Sequence, residues 1–115
     1  MAQTKIPSAS GSQPRPVMQL LDLIGRRWAL RILWELRETP LNFRALQERC
    51  GGLSPSVVNR RLRELRQADL VTLTPEGYRL SPLGCELGPK LLDLNIWAER
   101  WARKRRPVSD DETAP

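Results

Sequence analysis

The residues best equipped for chemistry in this 115-residue chain are arginines. Arg60, Arg61, Arg63 and Arg66 crowd a short stretch beside Asn59, with Glu64 the one acid among them. A guanidinium binds phosphate and can pair bidentately with guanine, and a carboxamide can do the same with adenine. The stretch is therefore suited to hold a nucleic acid. The competing reading is a solvated arginine face on an ordinary core helix, the usual fate of surface charge. Catalytic chemistry has less to work with. There is no histidine, so a His-based triad, a His-ligated metal and an imidazole base are all excluded. Cys50 and Cys85 are too few for a disulfide scaffold or a four-cysteine zinc site. No enzyme activity, cofactor or metal is expected.

The charge balance agrees with an anionic partner. The 19 Lys+Arg and 13 Asp+Glu give 19 − 13 = +6, which favours a polyanion such as nucleic acid; an anionic membrane surface would satisfy the same number. No segment has the apolar run of a secretory signal or a membrane span, so a cytoplasmic protein with reduced thiols is expected.

These residues need elements to position them. Residues 1–16 mix Ser, Gln, Gly and Pro without periodicity and read as a flexible arm, and 107–115 as a disordered acidic tail. Between them, 17–106 reads as one domain. Val17, Leu20, Leu21 and Ile24 recur at helical spacing and stop at Gly25. A second helix is expected from Arg27 to Glu38, with Trp28 and Ile32 on its buried stripe and Trp34 off it. Asn42 caps a short helix through Arg49, and Gly51-Gly52 turns the chain. Ser54-Pro55 then opens a helix to about Ala68, with Val58, Leu62 and Leu65 inward. That leaves Ser56, Arg60, Arg63 and Gln67 facing out, flanked by Val57, Asn59 and Arg61. The period changes at Val71, where Pro75-Glu76-Gly77 punctuates a hairpin. Ser81-Pro82 repeats the cap-plus-proline start and opens a helix to about Arg105, with a kink expected at Gly88-Pro89. The fold class is thus mainly α with a short β-hairpin: a winged helix-turn-helix with an added terminal helix.

Helix-turn-helix geometry sends the second helix into the major groove. Asn59 and Arg60 are the base-reading candidates, and Ser54, Arg61 and Arg63 the phosphate candidates, with Ser56, Arg44 and Arg79 completing the DNA-facing set. From Leu20 to Trp101 the chain resembles the HxlR-type family of bacterial winged-helix transcriptional regulators. The likeness rests on Leu21 to Trp28, Leu53-Ser54-Pro55, Arg61 to Leu65, Asp69-Leu70-Val71 and Leu80 to Gly84. The resemblance implies a homodimer on a pseudo-palindromic operator, with repression by promoter occlusion as the commoner mode. It places Ser54, Ser56, Asn59 and Arg60 on the recognition helix and Pro75 to Arg79 at the wing tip. It also implies dimerisation through the terminal helices, here by Leu20, Leu94, Trp97 and Trp101. Two positions depart from the family pattern. Many members carry a Cys-Pro dipeptide before the first helix, where this chain has Arg15-Pro16. The wing is short, and Glu76 at its tip would repel phosphate.

Other residues keep two readings. Trp97 and Trp101, four apart on the last helix, suit either the core or a dimer interface, and the interface is favoured. Cys50 follows Arg49, which could activate its thiol, but an inert small hydrophobe is favoured there and at Cys85. Arg103 to Arg106 is read as a solvated helix end, with a phosphate contact or a membrane patch as alternatives. At the level of the whole protein, the alternatives to a DNA-binding regulator are a protein-interaction module and a sequence-neutral DNA-coating protein.

Overall fold

The structure, a computed structural model, describes residues 15–105. The expected arm, up to its last two residues, and the acidic tail lie outside that range. Five helices and one hairpin follow in the order α1 (Pro16–Ile24), α2 (Ala29–Glu35), α3 (Phe43–Arg49), α4 (Pro55–Gln67), β1 (Val71–Thr74), β2 (Gly77–Leu80) and α5 (Pro82–Lys104). This is the mainly α winged helix-turn-helix that the periodicity predicts.

Helix α2 is the hub, packing against α1, α3, α4 and α5. Its Ile32 and Leu33 meet Ile24 of α1, Leu46 of α3 and Val58, Leu62 and Leu65 of α4 in one buried cluster. Leu87 and Leu91 of α5 lie against that cluster, half-buried. α2 starts later than its apolar stripe suggests, because Trp28 adopts a left-handed φ of 76° and cannot continue a helix backward, and it stops at Glu35, short of the expected Glu38. Trp28 is accordingly not in the core. It is half-buried, with the Arg27 guanidinium carbon 5.5 Å from its ring centre.

Local chemistry fixes most helix ends. The Asn42 side chain accepts from Ala45 N at 2.7 Å, Ser54 from Val57 N at 3.4 Å and Ser81 from Gly84 N at 2.9 Å. Ser81 is buried and also donates to the Asp69 carbonyl at 2.6 Å, so the end of α4 is tied to the start of α5. Asp69 itself takes a left-handed φ of 65°, and Leu70 N closes back onto Leu65 O at 2.9 Å. Helix α5 runs through Gly88 and Pro89 to Lys104, close to its expected end.

The wing is an antiparallel pair with Thr74 opposite Gly77, joined by Pro75 and Glu76. Leu41, in the connection between α2 and α3, extends it. Leu41 N donates to Tyr78 O at 2.9 Å, and Tyr78 N donates to Leu41 O at 2.8 Å. Gly77 is needed for that approach: its φ is 125°, and a Cβ there would sit 2.7 Å from the Leu41 carbonyl carbon and oxygen.

The thiols have different surroundings. Cys50 is buried, and burial raises its pKa; Glu35 adds to the rise and Arg31 opposes it. Cys85, on the first turn of α5, is exposed.

Two measurements check these placements. Gly77→Ala should cost about 2–4 kcal/mol of stability in urea unfolding, because strain and collision add, whereas Gly52→Ala, with φ of 79° but open space around it, should cost about 1 kcal/mol. A thiol reagent should label Cys85 quickly in the native protein and reach Cys50 only as the chain unfolds.

Candidate nucleic-acid interface

The helix-turn-helix is α3, the turn from Cys50 to Ser54, and α4. Gly51 and Gly52 carry φ of 83° and 79°, and their N–H groups donate to Glu48 O and Gln47 O, each at 3.0 Å. A side chain at either position would strain this reversal. Gln47 Nε2 donates to Leu53 O at 2.8 Å and pins the far end of the turn.

Val58, Leu62 and Leu65 are fully buried on α4, so the opposite face must be open. Ser56, Asn59, Arg60, Arg63 and Gln67 are all exposed there, as the 100° spacing predicts. Ser54 is exposed at the helix start, with its hydroxyl 3.4 Å from that of Ser56. Arg44 on α3 and Arg79 on β2 are exposed as well.

The arginines divide into two groups that the sequence did not separate. Arg26, Arg31, Arg37, Arg49 and Arg61 form ion pairs with carboxylates. Among the described residues Arg44, Arg60, Arg63, Arg66 and Arg79 have no such partner. Arg61 is the correction. Its side chain is only 14% exposed, its Nε donates to the Arg27 carbonyl at 2.8 Å, and its NH1 meets Glu64 Oε1 at 2.8 Å. It lies toward the α1–α2 junction and not among the free guanidiniums, so a phosphate role does not suit it. Arg26 joins the same group, bonded to Asp22 at 3.1 Å and Glu64 at 3.2 Å; these two carboxylates, Asp22 first, raise its pKa further. The helical spacing puts Arg61 on the flank of the open face and Arg60 at its centre, but it does not show the bond to a carbonyl 34 positions away that takes Arg61 out of the phosphate set.

The terminal helices show a second surface. Leu94, Trp97 and Trp101 are 53%, 50% and 50% exposed, and the two indoles stack at 6.3 Å with 10° between their planes. The Arg105 guanidinium covers Trp101 at 4.7 Å. Leu20 is half-buried against the core of its own chain. Val17 and Leu21 of α1, which the stripe included, are exposed, and so are Met18 of α1 and Leu92 and Ile96 of α5, which the single-stripe reading missed. The i, i+4 spacing of Leu92 and Ile96 was the available signal. Trp34 lines an open, mostly apolar groove of about 400 Å³ with Leu30, Leu91 and Leu94.

Known proteins share this arrangement. The sequence model of the family described as HxlR-like helix-turn-helix matches residues 23–106. An HTH-type transcriptional regulator of Bacillus subtilis, YodB, is 27% identical over 97 residues, covering 78% of this chain and 87% of YodB. YvaP of the same organism, named an uncharacterized HTH-type transcriptional regulator, is 28% identical over 88 residues, covering 70% and 82% of the two chains. The crystal structure of quinone-bound YodB superposes with a TM-score of 0.69 at 28% identity, over 75% of this chain and 99% of that one. A structure described as a transcriptional regulator of the MarR family from Enterococcus faecalis gives 0.67 at 25% identity, over 84% and 96%. With a capped, open-faced second helix, a short wing and a family match across most of its length, the chain belongs to the HxlR-like helix-turn-helix family of transcriptional regulators.

Proposed function

We propose that the chain acts in the cytoplasm as a homodimer on a pseudo-palindromic operator, with α4 of each copy in a major groove, and represses by occluding the promoter. One observation carries the reading: the outward face of α4 offers Ser56, Asn59, Arg60 and Arg63 together, and its arginines are not neutralised by carboxylates of the described residues. Asn59 and Arg60 read base edges, since their carboxamide and guanidinium match adenine and guanine. Ser54, Arg63 and Arg44 take phosphates, helped by the positive end of α4. Arg79 reaches phosphate from β2, and the wing adds little else because Glu76 stands at its turn.

Dimerisation uses the exposed apolar residues of α1 and α5. Leu94, Trp97 and Trp101 anchor it, while Leu20 contributes the part of its surface left open by the core. A two-fold dimer gives two equivalent recognition helices, and that symmetry requires inverted half-sites.

Salt-titrated binding to promoter fragments and to random duplex tests the reading. A steep salt slope with specificity above about 10³ supports a regulator, and equal affinity for every duplex supports a coating protein instead. Arg60→Ala should relax the preference at one base position at a cost of about 1–3 kcal/mol, while Arg63→Ala should weaken all sequences alike and lower the salt slope by about one. The same uniform loss from both would remove the assigned roles. Trp97→Glu should sediment as a folded monomer, because a carboxylate cannot be desolvated at an apolar interface.

A further inference from the structure

The junction between α1 and α2 is joined to α4 by a polar cluster that DNA contact does not use. Trp28 stands at a left-handed φ of 76°, a conformation in which the Cβ of any residue but glycine is crowded by the backbone. The turn leaves the Arg27 carbonyl without a backbone donor among the described hydrogen bonds, and Arg61 Nε supplies one at 2.8 Å from the middle of α4. Arg61 NH1 holds Glu64 Oε1 at 2.8 Å. The other oxygen of Glu64 holds Arg26 at 3.2 Å, and Arg26 reaches Asp22 on α1 at 3.1 Å. Glu64 and Arg61 are 22% and 14% exposed, so the inner part of the cluster is shielded from water.

Packing alone does not fix α4 this way. The stripe of Val58, Leu62 and Leu65 keeps the helix against α2, but apolar contact is non-directional and restrains twist and slide weakly. Hydrogen bonds are directional, and the guanidinium fork of Arg61 sets an angle as well as a distance. The bonded path runs from α1, whose Val17, Met18 and Leu21 are exposed, to the helix that carries the reading face.

We propose that Arg26, Arg61 and Glu64 are positioning residues that hold each recognition helix at a set angle and distance from its own α1, and so determine the half-site spacing the dimer accepts. The inference rests on the dimeric operator reading given above. None of the three touches a base. Their effect is on where the second half-site must lie once the first is bound.

The test uses half-sites selected from a random pool by the wild-type protein, then placed in duplexes one or two base pairs closer or farther apart. Each added pair moves the second half-site by about 3.4 Å along the axis and about 35° around it. Wild type should lose about tenfold in affinity or more for a one-pair change. Glu64→Gln keeps the shape but removes the charge that both arginines share. It should flatten the spacing profile to within about threefold while selecting the same half-site sequence. Arg26→Lys, which keeps the charge but not the fork, should flatten it in the same direction, and it decides the matter if Glu64→Gln does not fold. A wild-type spacing profile in the folded variants overturns the proposal, as does a loss of half-site sequence preference that is equal at every spacing. A wild-type protein indifferent to spacing would instead remove the paired half-sites themselves, a failure visible before any variant is made.

Discussion

The open face of α4 depends on the burial of one stripe, Val58, Leu62 and Leu65, against α2. These side chains are among the most deeply buried in the protein. A helix buried that firmly along one line must offer the opposite line to solvent. Ser56, Asn59, Arg60, Arg63 and Gln67 occupy that line because of their spacing, not because any contact draws them out. Truncating a residue of the stripe would leave a cavity and also loosen the face. Its apolar residues therefore set the exposed face of the helix without being part of it.

Arginine serves this protein in two ways, and the presence of a partner within the fold separates them. Arg26, Arg31, Arg49 and Arg61 join carboxylates or backbone carbonyls and fasten helices to one another; Arg31, for example, donates to the Arg49 carbonyl at 2.6 Å while pairing with Glu35. Arg44, Arg60, Arg63, Arg66 and Arg79 stand open. An exposed pair adds little to stability, since water and salt screen it. For the open group, which pairs with no carboxylate among the described residues, the larger consequence is that a phosphate can approach without displacing one. The acids Asp22, Glu35 and Glu64 are engaged by Arg26, Arg31, Arg49 and Arg61, so the positive field toward a ligand comes from the open group.

The fold was legible where the signals are local. Asn42, Ser54 and Ser81 each cap the helix expected of them, and Pro55 and Pro82 stand at the starts they imply. What escaped the sequence depends on distant partners. Trp28 fits a helical stripe by spacing, yet the chain turns left-handed there and Arg61 bonds the carbonyl beside it from 34 residues away. Leu41 reads as loop, but the register of β2 makes it a partner for Tyr78. The open face of α4 was legible almost completely, because a single helix of regular period determines it. Arg61 was not, since its exposure is set by what lies beside α4 rather than by α4.

Helix α5 poses the remaining physical question, why so long a helix follows a domain already closed. Its Gly84, Leu87 and Leu91 serve the monomer: Gly84 is buried where a Cβ would collide with the Leu70 carbonyl, and the two leucines cover the core. Beyond them Leu94, Ile96, Trp97 and Trp101 bring large apolar area into water with little of their own chain to meet. Stacking the indoles on each other and under Arg105 hides part of that area but leaves half of each tryptophan exposed. An exposed patch of this kind, beside the exposed apolar side chains of α1, is costly to an isolated subunit and favourable between subunits. The exposed apolar surface of this helix is the strongest physical support for the proposed dimer.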